Sequence, residues 1–216
     1  MSEGRLPKVL LAVLVCVFIW SAITPHDYFT WFLEVVPTIV GTAILLATRK
    51  RFPFTPVAYI LMAFFMCILM VGGHYTYALV PAGRWVSDAL HLQRNHFDRF
   101  GHFFQGVIPA MVGRELLLRK GVVKKKGWLF FICTSIALAI SACYEFVEWG
   151  TSLATGTAGD AFLGTQGDPW DTQSDMFMAF TGAMISQLVL GKLHDRQLEE
   201  FMDTDAPRVY PFKGRA

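Results

Sequence analysis

Cysteine is scarce in this sequence, with four residues in 216 and no CxxC pair, so a disulfide framework is excluded. Cys16, Cys67, Cys133 and Cys143 all fall inside apolar runs and read as packing residues. The common catalytic signatures HExxH, GxSxG and the P-loop are missing as well. There is no internal repeat, so the inverted-repeat design of many transporters has no support. The formal net charge is only +2, and the basic residues do not gather beside exposed aromatics, which excludes nucleic acid as a partner.

Long apolar blocks are what the chain does have. With 54% apolar residues and a mean hydropathy of +0.42, they favour a bilayer-embedded bundle over a soluble core. Six spans can be placed, at 6–24, 29–48, 55–72, 97–118, 128–149 and 171–190. All but three of the 19 basic residues flank alternate ends of these spans, the exceptions being Arg84, Arg94 and Arg99. Short loops carry their Lys and Arg on the cytoplasmic side, so both termini are expected there. The first run follows Arg5 and Lys8 without a small-residue cleavage pattern and reads as a retained helix rather than a signal peptide. Trp20, Trp31, Trp149 and Trp170 fall near outer ends and Trp128 near an inner one, as an aromatic belt would place them. Pro37 and Pro109 lie within spans and would loosen them.

The expected fold is therefore an all-α, polytopic membrane helix bundle with six transmembrane helices. One integral membrane domain covers 1–216, and 191–216 form a cytoplasmic tail in which 195–200 extend the last helix. The outer loop 74–96 contains an amphipathic stretch, 84–92, suited to a surface helix. A second outer loop, 151–170, is rich in Gly and Thr.

Acidic and histidine residues collect at the opposite end from the basic ones. Asp98 and His102 are four apart on one helix face, and Gln105 continues it. Glu145 and Glu148 occupy the last outer turn of the fifth span, with Ser141 one turn deeper. Asp168, Asp171 and Asp175 line one face at the start of the sixth. Glu34 and His74 reach the same level. Ionisable groups in a membrane cost about 2.5–3.5 kcal/mol each on insertion scales, so a cluster of this kind needs a cation, shared protons or water. Oxygen ligands with one imidazole suit a divalent metal such as Mg, Mn or Zn. The metal ligands expected are His102, Glu145, Asp171 and Asp175. Asp98, His102, Glu145 and Asp175 are the expected catalytic groups, and Arg99, Gln105, Glu148, Gln166 and Asp168 the expected substrate contacts.

Simpler roles compete with these. Asp168 before Pro169 has the form of a helix N-cap, with Asp171 completing a capping-box-like arrangement, whereas Asp175 lies beyond the first turn. Glu148 can reach interfacial water, Arg99 can snorkel outward, and His102 can pair with a carboxylate simply to hold helices together.

The runs LMVGGHYTYALVP, RNHFDRFGHFFQG, ISACYEFVEW and DAFLGTQGDPWDTQSDM resemble the YjdF family of bacterial inner-membrane proteins, over residues 10–190. That resemblance implies membrane location and fold. The second half more loosely resembles VanZ-like proteins, through D-R-x-x-H-F at Asp98 to Phe103, Glu145, and D-x-x-x-D-M before Gly182 and Ala183. VanZ-like proteins are associated with resistance to glycopeptide antibiotics acting at the envelope. The chain differs from them in two leading helices and the GTQGD loop. The site is expected to face outward and to bind or act on an envelope lipid or other amphiphile. The rival expectations are a proton- or cation-coupled carrier and a membrane assembly partner. The apolar inner halves of the spans count against a carrier.

Overall fold

The computed structural model describes residues 4–124, 126–156, 162 and 164–203, the last three of these as backbone. Within the predicted second loop, 157–161 and 163 lie outside the described residues, as do 204–216 of the predicted tail. Among the described residues the chain is all-helical: α1 (Arg5–Ser21), α2 (Tyr28–Thr48), α3 (Pro56–Tyr75), α4 (Pro81–Ala89), α5 (Phe97–Arg119), α6 (Lys126–Thr155) and α7 (Asp171–Asp203). Five of them, α1, α2, α3, α6 and α7, are long and apolar enough to cross a bilayer. At 23 residues, or about 34 Å, α5 has the length but not the apolarity. It carries Asp98, Arg99, His102, Gln105, Arg114, Glu115 and Arg119, and shelters most of them behind its neighbours.

That sheltering decides the architecture. α5 packs against α3, α6 and α7, while α1 and α2 both dock on α3. Leu14, Val35, Ala63, Met66 and Met70 form the core between α1, α2 and α3. Ala110, Cys133, Ala137 and Ala183, with Leu129, form the core between α5, α6 and α7. Small side chains dominate this second core because the helices come very close, as small-residue interfaces permit in membranes. A Cβ at Gly106 would land on the Ala179 carbonyl oxygen, and one at Gly182 on the Phe103 carbonyl oxygen, so the α5 and α7 backbones touch.

Local chemistry sets the helix ends. Asp27 caps α2, its Oδ2 accepting from the Thr30 amide at 2.6 Å, and this bond holds the Asp27 carboxyl below the usual range. Pro56 opens α3, and the free amide of Val57 is capped by Gln197 Oε1 of α7 at 2.9 Å. α3 ends where Thr76 turns left-handed, with Tyr77 N donating to Gly72 O at 2.8 Å.

Several expectations change in detail. α6 runs on to Thr155, shortening the second loop, and α7 continues to Asp203, so 195–200 do extend it. Pro37 and Pro109 sit inside continuous helices. The surface helix α4 buries Gly83 and Ser87 and exposes Trp85 and Val86, the pattern of a helix lying in the interface. Trp20, Trp128, Trp149 and Trp170 are exposed as a belt requires, but Trp31 turns inward, donating from Nε1 to Ser21 Oγ at 3.1 Å. All four cysteines are free, and only Cys133 is fully buried; Cys16 and Cys143 are exposed.

Candidate functional site

α5, α6 and α7 converge at the acidic end. Asp98 and His102 sit one turn apart on α5, with Asp98 Oδ1 3.5 Å from His102 Nε2. The other ring nitrogen, Nδ1, lies 2.9 Å from Gln105 Oε1 and 3.7 Å from Glu145 Oε1 of α6. Asp175 of α7 completes the group: one ligand atom from each of Asp98, His102 and Asp175 falls within 4.8 Å of the others. His102, Glu145 and Asp175 are all buried, yet among the described residues Asp175 Oδ1 and Glu145 Oε1 have no hydrogen-bond partner. A buried carboxylate oxygen left bare is costly.

A cleft of about 20 Å³, room for one water by this measure, adjoins the group. It is lined by Glu34, Tyr77, Asp98, His102, Gln105, Tyr144 and Glu148, among others. Glu34 reaches it because Gly73 lets α2 approach α3: a Cβ there would stand 2.9 Å from Glu34 Cβ. The Tyr144 hydroxyl then donates to Glu34 Oε2 at 3.3 Å. The Tyr77 ring, from a residue with φ +47°, packs over Gly72 and Gly101.

Above the cluster lies an ion-pair latch. Arg94 Nη1 donates to Asp171 Oδ1 at 2.5 Å and to Asp168 Oδ2 at 3.2 Å, and Arg99 Nη2 also pairs with Asp168 Oδ2. Gln166 clamps the backbone of Asn95 from both sides, accepting from its amide at 3.1 Å and donating to its carbonyl at 2.9 Å. Asn95, itself buried, donates from Nδ2 to the carbonyls of Ala78 and Val80. The glycines of the GTQGD run serve this geometry: Gly164 and Gly167 have φ of +63° and +83°, and Gln166 itself is held at +48°.

The structure thus brings Asp98, His102, Gln105, Glu145, Glu148, Asp175 and Glu34 together. Asp171 does not join them as a bare ligand, because Arg94 occupies it. Arg99 does not snorkel but pairs with Asp168. Asp168 makes a local turn, its Oδ1 accepting from the Trp170 amide at 2.9 Å, but α7 starts at Asp171 and no capping box forms. Gln166 holds a loop rather than facing the cleft. His74 sits at the right level but faces α1, with Nδ1 3.0 Å from Ser21 O. Sequence reasoning missed Tyr77, Tyr144, Asn95 and above all Arg94, which the sequence did flag as one of three basic residues on the wrong side.

Titration of the latch is predictable. The Trp170 amide first, then Arg99 and Arg94, hold the Asp168 carboxyl below the usual range. Burial and the two arginines push the His96 ring down, which fits its Nδ1 receiving Arg99 Nη1 at 3.4 Å. A depressed carboxylate contributes its stabilisation above its unfolded pKa of about 4 and loses it as pH falls through the lower folded value. Amide exchange over 164–170, corrected for intrinsic rates, should stay protected from pH 8 down to 5, and Asp168→Asn should lose that protection across the whole range. Protection fading already near pH 6 would assign the closure to another group.

The family model described as Predicted membrane protein (DUF2238) matches residues 6–196. The inner membrane protein YjdF of Escherichia coli (strain K12) is 50% identical over 188 residues, covering 87% of this chain and 90% of that protein. No solved structure matches. Neither match bears on the VanZ-like resemblance of the second half.

Proposed function

We propose, for a chain that belongs to the DUF2238 family and is a multi-pass protein of the inner membrane, a divalent-cation site that serves chemistry on an anionic envelope amphiphile. α5 is the sixth span in this reading, and the acidic end faces outward by the positive-inside rule. One observation carries the proposal: the Asp98, His102 and Asp175 ligand atoms lie within 4.8 Å of one another, and Asp175 Oδ1 is buried without a partner among the described residues. The donor set fits Mg, Mn or Zn.

The tautomer of His102 supports it. With Gln105 Oε1 as acceptor, Nδ1 carries the proton, and the lone pair of Nε2 faces Asp98 Oδ1 at 3.5 Å. Two acceptors face each other there, so a cation between them turns repulsion into ligation. Such a cation supplies Lewis acidity and lowers the pKa of bound water. Glu145, 3.7 Å from the same ring, is placed to receive a proton. Arg94 Nε and Nη2 and Arg99 Nε are buried donors without partners among the described residues, suited to a phosphate or carboxylate that displaces Asp168.

Asp175→Asn tests this. The substitution keeps the size and removes the anion, so the protein should fold and insert while its affinity for Mn²⁺ falls by more than the ~10–100-fold typical of outer-shell partners. In detergent, Mn²⁺ at about 100 times its Kd should stabilise the wild type by ~2.7 kcal/mol and leave Asp175→Asn nearly unmoved. Unchanged metal content with a large drop in melting temperature would make Asp175 a helix tie and end the enzyme reading.

A second reading, cation or proton passage, draws on one observation. Contrary to the expectation of apolar inner halves, Arg114, Glu115 and His194 form a buried polar network at the basic ends of the same two helices. Cation flux through the reconstituted protein, abolished by Asp175→Asn, would favour it over hydrolysis.

A further inference from the structure

A second cavity shares no lining residue with the acidic cleft. α1 and α2 touch at their acidic-end tips, where Trp31 meets Ser21 and Phe18 at a ring separation of 5.9 Å. Below that point both helices follow α3 rather than each other, and a groove of about 880 Å³ opens between them. Leu10, Leu14, Leu45, Leu46, Ile60 and Met66 wall it. Outward-facing Val9, Val13 and Ile44 on the same helices are exposed, as lipid-facing positions must be. The basic end of the groove is bordered by Lys8, Arg49 and Lys50, against one acidic lining residue, Glu200. From Thr42 to its end at Thr48, α2 flanks the groove for about 9 Å, more than half the depth of one leaflet's hydrocarbon.

We propose that this groove binds one phospholipid with an anionic phosphodiester headgroup, drawn from the leaflet at the basic end. The argument is charge complementarity joined to an apolar channel. A headgroup phosphate meets Lys8, Arg49 and Lys50, while an acyl chain lies along the leucine wall between α1 and α2. Basic pockets between spans on the cytoplasmic side recognise lipids in this way. A zwitterionic lipid satisfies the channel but not the rim, and free phosphate satisfies the rim but not the channel. The site shares no residue with the acidic cluster, so its fate is independent of the cation reading.

Native mass spectrometry of the full chain in detergent, with dioleoyl phosphatidylglycerol or dioleoyl phosphatidylcholine added, tests it. Wild type should retain one phosphatidylglycerol at least tenfold more strongly than phosphatidylcholine. Each basic side chain contributes about fivefold near a lipid surface, so Lys8→Gln/Arg49→Gln/Lys50→Gln should lose on the order of 100-fold and the preference with it. Arg5→Gln/Arg51→Gln removes two charges from the same end but none from the groove lining, and should behave as wild type. Leu46→Trp, charge-neutral and half-exposed to lipid, should occlude the channel and weaken both lipids, which keeps the test decisive if the triple variant fails to insert. Equal retention of the two lipids by wild type, an equal loss in the Arg5/Arg51 control, or full retention in Leu46→Trp would each overturn the proposal. So would competition by glycerophosphoglycerol, which would show a phosphate site without a lipid, and displacement by a second copy of the chain, which would show a protein interface.

Discussion

Glu115→Ala should destabilise the protein by about 3–5 kcal/mol, the cost of breaking a buried ion pair by removing one partner. Glu115 is fully buried on the inner half of α5 and takes four kinds of donor. The Thr55 amide lies at 3.0 Å and the Thr55 hydroxyl at 2.7 Å, at the N-cap of α3. Arg119 Nη1 donates at 2.9 Å from one turn along α5, and His194 Nε2 of α7 lies at 3.0 Å. The one carboxylate therefore fastens three helices. Alanine there takes the carboxylate from the buried Thr55 amide and the fully buried His194 ring at once, while Arg119 keeps the Pro53 carbonyl. At roughly 2–4 °C per kcal/mol for a chain of this size, melting should fall by about 6–20 °C. Asp195 offers the contrast, since its carboxylate pairs with Arg114 Nη2 at 2.5 Å but its side chain is 41% exposed. Asp195→Ala should cost below ~1 kcal/mol, as part-exposed pairs do. Thermal unfolding of both variants in one detergent settles the matter. A Glu115→Ala protein within 1 kcal/mol of wild type would mean that the network is open to water and the helices are held elsewhere.

This network marks the boundary of what the sequence made legible. Helix order and the existence of α5 could be read from alternating basic ends, even though α5 is too polar to be found by apolarity alone. The outer cluster could be read because helical spacing of four puts Asp98 under His102, and membrane depth puts Glu145 and Asp175 at their level. Arg114 looked like one more topology-setting charge, and His194 like part of a solvated tail. They face each other at 2.8 Å across 80 residues of chain, a pairing that no local spacing encodes. The same holds for Arg94 and Asp171, which are 77 apart and meet beside a loop in which, among the described residues, Gly156, Gly164, Gln166 and Gly167 are all left-handed. His74 shows the converse. Its depth was legible, but its direction depended on α1 docking against α3.

The sharpest remaining expectation concerns the distance between α5 and α7, because the place of Asp175 beside Asp98 and His102 depends on it. Alanine is normally worth up to ~1 kcal/mol over glycine inside a helix. Gly191→Ala on α7, where a Cβ meets nothing within 4 Å, should therefore stabilise by that amount. Gly182→Ala on the same helix and Gly106→Ala on α5 should reverse the sign. Each new methyl falls on a backbone carbonyl oxygen, of Phe103 and Ala179 respectively, and a helix backbone cannot step aside as the end of a flexible side chain can. Overpacking of this kind costs about 1–3 kcal/mol at each site, and the double variant should exceed either. The helices can relieve it only by separating, which draws Asp175 away from Asp98 and His102. Mn²⁺ affinity should therefore fall in Gly182→Ala and Gly106→Ala although neither change touches a ligand, and stay at the wild-type value in Gly191→Ala. Stability gained at all three positions would show that α5 and α7 do not need backbone contact, and that Asp98, His102 and Asp175 are held together by some other means.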